Sequence, residues 1–151
     1  METTDEKNWA TFIHLSTLSQ YCIPFGNYIF PILIWSTKKD KSEFIDYNGK
    51  QALNFQLSIF LYTLVLGLIA APIILATIFS TVPLNAIIND DDFIINNFSA
   101  ENIGGIIIVA IIAVFILLSL KVAEFFLIIY ASLKTANGEK YRYPLTIPFI
   151  K

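Results

Sequence analysis

The sequence predicts an all-α fold: an integral membrane helical bundle with a short N-terminal helix hairpin and two long transmembrane helices. Three observations carry that prediction. Hydrophobic residues make up 56% of the 151 and charged residues only 15%, against the ~25% charged of a soluble domain, and mean hydropathy is +0.65. Two stretches, 57–89 and 103–120, carry no charge, and at about 1.5 Å per residue each crosses or nearly crosses ~30 Å of hydrocarbon. The charges are also segregated along the chain. Lys38, Lys39, Lys41 and Lys50 fall in the first connection and Lys134, Lys140, Arg142 and Lys151 towards the end, whereas 81–102 holds Asp90, Asp91, Asp92 and Glu101 without Lys or Arg.

By the positive-inside rule the two basic clusters are cytoplasmic and the 81–102 connection is outside. The predicted localisation is a multi-pass protein of the plasma (cytoplasmic) membrane. The chain length fits one transmembrane domain, 1–151. A net charge of −2, with no strongly basic segment, excludes nucleic acid as a partner and leaves membrane lipid, other membrane subunits or self-association. The lone Cys22 excludes an intrachain disulfide and a Cys-based metal site, and is expected to be buried among apolar neighbours. The N-terminal residues lack a basic stretch and a small-residue cleavage site, so they are expected to be retained.

Taken in order, 9–21 shows helical spacing of Trp9, Phe12, Ile13, Leu15, Leu18 and Tyr21, but covers only about 20 Å, too short to span. Pro24 with Gly26-Asn27 signals a turn, and a second short apolar piece, 28–35, follows with Pro31 in its first turn. Segment 9–36 is therefore either one broken span or a re-entrant hairpin with both ends cytoplasmic; the shortness of both arms favours the hairpin. A transmembrane helix is expected over 50–80, kinked near Ala70 by Gly67 and Pro72. The 81–102 outer loop has apolar residues at roughly helical spacing, suited to the interface. Its Asp90-Asp91-Asp92 reads as a solvated acidic turn rather than a calcium loop, and Asn97-Phe98-Ser99 matches a sequon. A second transmembrane helix runs over 103–135 to the stop at Asn137-Gly138. The cytoplasmic tail, 136–151, is extended because Pro144 and Pro148 exclude a regular helix.

Two groups of residues invite a functional reading. At the mouth of the first long helix, Lys50, Asn54, Ser58 and Tyr62 recur at i, i+4 and form a polar stripe beside Gln51. Amides in hydrocarbon need partners, so the stripe is either glue between helices or the lining of a polar path. Counted back from Lys134, Glu124 and Lys121 lie about 15 and 20 Å deep, near the membrane middle. There an ionisable residue faces a partner or a cavity. At i, i+3 they form an intramembrane ion pair, either structural or ion-handling, with His14 as a further partner if the hairpin packs against that helix. Catalysis is not expected, because no Ser/His/Asp set, nucleophile elbow or metal-binding His pair is present; no cofactor and no metal is implied.

His14-Leu15-Ser16, Ile23-Pro24-Phe25-Gly26-Asn27, Pro31 to Asp40, Phe44 to Gln56 with its Asp46, Asn48, Gly49, Lys50 and Gln51, and Asn137-Gly138 with Tyr141-Arg142-Tyr143-Pro144-Leu145 together resemble the bacterial Tic-twenty-like family. These are small multi-helix membrane proteins of uncharacterised role, distantly similar to a chloroplast inner-envelope protein-import channel subunit. The resemblance implies four helices with both ends on one side. Two functions fit these residues: a non-enzymatic accessory or scaffold subunit of a membrane complex, with the amides as interhelical glue, or a channel or transport component, for peptides or proteins, in which Asn54, Ser58, Tyr62, Lys121 and Glu124 line a polar path after self-assembly.

Overall fold

The computed structural model describes residues 2–81 and 100–151, with side chains described for 2–76, 104, 105 and 107–151. The acidic turn, the sequon and the amphipathic piece expected in the outer loop lie outside the described residues. Among the described residues the protein is all-α: α1 (Thr4–Ser16), α2 (Gly26–Lys38), α3 (Glu43–Thr81) and α4 (Ala100–Ala136), with short 3-10 turns at Thr17–Tyr21 and Lys39–Lys41.

Helix α1 begins earlier than its apolar spacing suggests because Thr3 caps it. The Thr3 hydroxyl accepts from the Glu6 N–H at 3.3 Å, and the Glu6 carboxylate accepts from the Thr3 N–H at 2.7 Å. This reciprocal box satisfies two otherwise orphaned donors. The helix tightens into the 3-10 turn and reverses at Phe25, which holds a left-handed φ of 61° at the start of α2. A side chain on Gly26 would collide with the backbone carbonyl and hydroxyl of Ser19, so glycine is what lets the two arms close. Helices α1 and α2 pack against each other, and Cys22, at the turn between them, is exposed rather than buried.

Helix α3 starts at Glu43, before the expected mouth at Lys50, and the residues between are packed rather than solvated. Phe44, Ile45 and Ala52 form the apolar core with Ala10 and Ile13 of α1, flanked by Trp9, Ile34 and Trp35. The Trp35 ring lies directly on Gly49, where any Cβ would overlap it, and its Nε1–H donates to Asp46 at 2.9 Å. Helix α4 ends in a Schellman motif: Gly138, at φ 86°, and Glu139 donate to the carbonyls of Thr135 and Lys134 at 2.9 and 3.1 Å.

The chain divides into two compact units. Met1–Leu61 with Leu120–Lys151 forms one, and Tyr62–Ser119 the other. Residues 43–76 and 107–136 are long and apolar enough to cross a membrane, yet only 6% of the most apolar part of each is buried. A core helix of a soluble protein would be largely covered. These apolar surfaces match a hydrocarbon solvent.

Candidate functional site

The first unit is fastened by three groups of polar side chains, each built around at least one that is buried. The first centres on His14 of α1, which is fully buried. Its Nε2 lies 3.1 Å from Asn48 Oδ1 and its Nδ1 2.9 Å from the Tyr143 hydroxyl. An amide oxygen can only accept, so Nε2 carries the proton and Nδ1 accepts from the tyrosine. Thr135 also donates to Asn48 Oδ1 at 3.2 Å, while Asn48 Nδ2 donates to the Phe44 carbonyl at 2.9 Å. Burial pushes His14 down to about 4, against a smaller opposing effect of the Asn48 bond, and pushes the Tyr143 hydroxyl well above its usual range. Both are neutral at pH 7, so this is a neutral clasp joining α1, α3, α4 and the tail, with both ring nitrogens of His14 occupied.

The second group holds the tail on the polar stripe of α3. The Asn54 amide donates to the Ile150 carbonyl at 2.9 Å and accepts the Ile150 N–H at 2.8 Å. Ser58 accepts the Ile147 N–H at 2.9 Å and donates to the Asn54 carbonyl at 2.7 Å. Tyr143 stacks on Phe55 with ring centroids 4.1 Å apart and planes within 6°. Lys50 turns instead to Asp46, with which it pairs at 2.6 Å. The stripe is thus occupied at Asn54 and Ser58 by the protein's own backbone.

The third group is Lys121, Glu124 and Gln20. Lys121 and Glu124 pair at 2.8 Å, the carboxylate side chain fully covered and the lysine 45% exposed. Gln20, from the 3-10 turn, donates to the other carboxylate oxygen at 2.8 Å and accepts from Lys121 at 3.4 Å. The structure brings Gln20 to this pair, whereas His14 is bound to Asn48 and Tyr143. A carboxylate covered from water needs its lone pairs filled, and Lys121 and Gln20 do this, one at each oxygen. Between α2 and α3, Asn27 donates to Gln56 at 2.7 Å.

Asn48, Gln20 and Tyr143 escape a reading by stripe or depth, because their partners are distant in sequence. The only local hint was an excess of amides beside an apolar run. Among the described residues no group of three or more His, Cys, Asp or Glu side chains could hold a metal ion.

Comparison with known proteins gives one positive finding. Residues 5–150 match the MamF/MmsF family, described as the magnetosome magnetite crystal formation protein family. No curated protein and no solved structure matches the chain. The match corrects the Tic-twenty-like resemblance: small helical membrane proteins share turn signals, lysine clusters and amides at helix mouths for common physical reasons, and those features do not separate one family from another. Since the match covers nearly the whole chain, the protein belongs to the magnetosome magnetite crystal formation (MamF/MmsF) family.

Proposed function

We propose that this protein is a non-enzymatic accessory or scaffold component of the membrane around a forming magnetite crystal. In this reading it crosses that membrane with α3 and α4 and packs there against other membrane proteins or further copies of itself. The observation that carries the reading is that the buried polar side chains fasten the protein to itself. Asn48, Asn54, Ser58 and Glu124 each bond to another part of the chain. Side chains so engaged are suited to holding helices and a tail in one arrangement. The family description supports the setting, and the exposed apolar surface of the long helices supports the membrane.

The test is complementation in a magnetite-forming bacterium from which its own family member has been deleted. Expression of this chain is expected to restore crystal size, and a fluorescent fusion to follow the crystal-bearing membrane. The double variant Lys121→Met, Glu124→Leu should restore crystals as the parent does. If it folds but fails, and proteoliposomes of the parent pass ions or peptides that the variant does not, the scaffold reading is overturned in favour of transport. Topology is checked separately by an impermeant thiol reagent on intact cells that hold the protein in the cytoplasmic membrane, with Cys22→Ala as the background. Asp91→Cys should be labelled, and Lys39→Cys and Lys140→Cys should not.

A further inference from the structure

A cavity of about 210 Å³ lies between α3 and the tail, lined by Tyr47, Gln51, Asn54, Arg142, Thr146 and Pro148. A single water needs only about 10–15 Å³. A second cavity, of about 350 Å³, adjoins it through Tyr47, Gln51, Asn54 and Pro148 and extends past Glu43 and the Asp46–Lys50 pair to Lys151. Two side chains in these walls each carry an oxygen without a partner: Gln51 Oε1 and Thr146 Oγ1 are unbonded and turned away from the cavity, closed to water. Unpaired buried polar atoms are costly and few in folded proteins. Arg142 brings a permanent positive charge, and the ion pairs among the described residues engage Lys50, Lys121, Lys134 and Lys140 but not Arg142.

We infer that this cavity binds the headgroup of a membrane phospholipid that combines a phosphodiester with a hydrogen-bond donor, of the phosphatidylethanolamine type. The Arg142 guanidinium donates to phosphate oxygens in the forked geometry that suits them, and a change of rotamer at Thr146 brings its hydroxyl to the same group. Gln51 Oε1 accepts from the ammonium. Its amide turns about a broad, roughly two-fold terminal torsion, so a half-turn presents the oxygen to the cavity. A lipid source follows from placement. The site lies on the lysine-rich side, which the positive-inside rule puts against the cytoplasmic leaflet, and basic pockets there take lipid headgroups. The inference rests on the membrane placement proposed above, which the cysteine-labelling experiment tests on its own.

The site is tested by native mass spectrometry of the full-length protein in detergent. The probes are phosphatidylethanolamine, phosphatidylcholine, whose quaternary ammonium has no N–H, and soluble glycerophosphoethanolamine. The ethanolamine lipid should be retained several-fold better than the choline lipid. Arg142→Gln should weaken retention of both lipids on the order of tenfold. Gln51→Leu should erase the preference between them while leaving choline-lipid binding as it was; Gln51→Met, of similar length, replaces it if thermal unfolding shows the leucine variant misfolded. Equal retention of the two lipids by the parent, or parent-like retention by Arg142→Gln, overturns the site. Soluble headgroup binding as tight as the lipid overturns the lipid source and makes the ligand a free phosphate ester.

Discussion

In the unit formed by Met1–Leu61 and Leu120–Lys151, a histidine, a glutamate, three asparagines and a glutamine are buried along with the apolar core, His14, Glu124, Asn48, Asn54 and Gln56 being at most 2% exposed and Asn27 8%. In the unit Tyr62–Ser119 no described side chain is buried and none is charged. The difference lies in what holds each together. Apolar side chains facing hydrocarbon gain little by meeting one another, because lipid tails are as apolar as they are. Buried polar groups are different: each needs one particular partner, and a wrong arrangement leaves it unpaired. The first unit therefore carries the specificity of the fold, and the second supplies apolar length.

Breaking the first unit should cost far more than altering the second. The largest effect is expected for Lys121→Met, which leaves the covered Glu124 without its cation and should lower stability by roughly 3 kcal/mol. Adding Glu124→Leu should recover most of it. Thermal unfolding in detergent reads both, and a single variant as stable as the parent would show that the charge is not held away from water.

Acid should act on the same unit through His14, on α1 and outside the two long apolar helices. Its folded value of about 4 lies below the unfolded ~6.5, so its contribution is fully present above pH 6.5. That contribution is lost as the pH falls towards 4, because the unfolded chain then takes up a proton that the buried ring refuses. The full loss is on the order of 3 kcal/mol. His14→Gln should flatten stability over that range, and a parent whose unfolding temperature is constant from pH 7 to about 4 would refute the buried neutral ring.

A smaller loss, about 1–3 kcal/mol, is expected for Asn54→Leu, which leaves the Ile150 N–H and carbonyl unpaired. Trypsin should then cut after Lys140 or Arg142 faster than in the parent, and unchanged cleavage would show the tail held by other contacts. The least effect is expected in the second unit. Ile111→Val, on a residue 61% exposed, should stay within about 0.5 kcal/mol, and a larger loss would mean that this surface is covered by a partner.

The same contrast decides what was legible in the sequence. The long apolar helices could be read because hydropathy sums residue by residue and needs no partner. The start of α1 was legible too, in Thr3 and Glu6 at capping-box spacing, but apolar periodicity beginning at Trp9 passes over it. The early start of α3 was hidden because Asp46 and Asn48 look like a solvated mouth until Trp35 and His14 arrive to bond them. Residues of the candidate site stood out singly as costly polar groups. Their pairing did not, because Tyr143 lies 129 residues from His14 and Ile150 lies 96 from Asn54, and no local pattern encodes such a meeting.

The hold of Asn54 on Ile150 has a consequence for how this protein tolerates change. The amide engages only main-chain atoms, N–H and carbonyl, as a neighbouring strand would. The identity of the side chain at 150 is therefore invisible to it, and Ile150→Val or Ile150→Thr should leave the tail in place. Proline is the exception at 150, and equally at 147, since it lacks the donor that Asn54 or Ser58 accepts. Across homologous tails the fastening would survive wide drift in composition as long as those two positions avoid one amino acid.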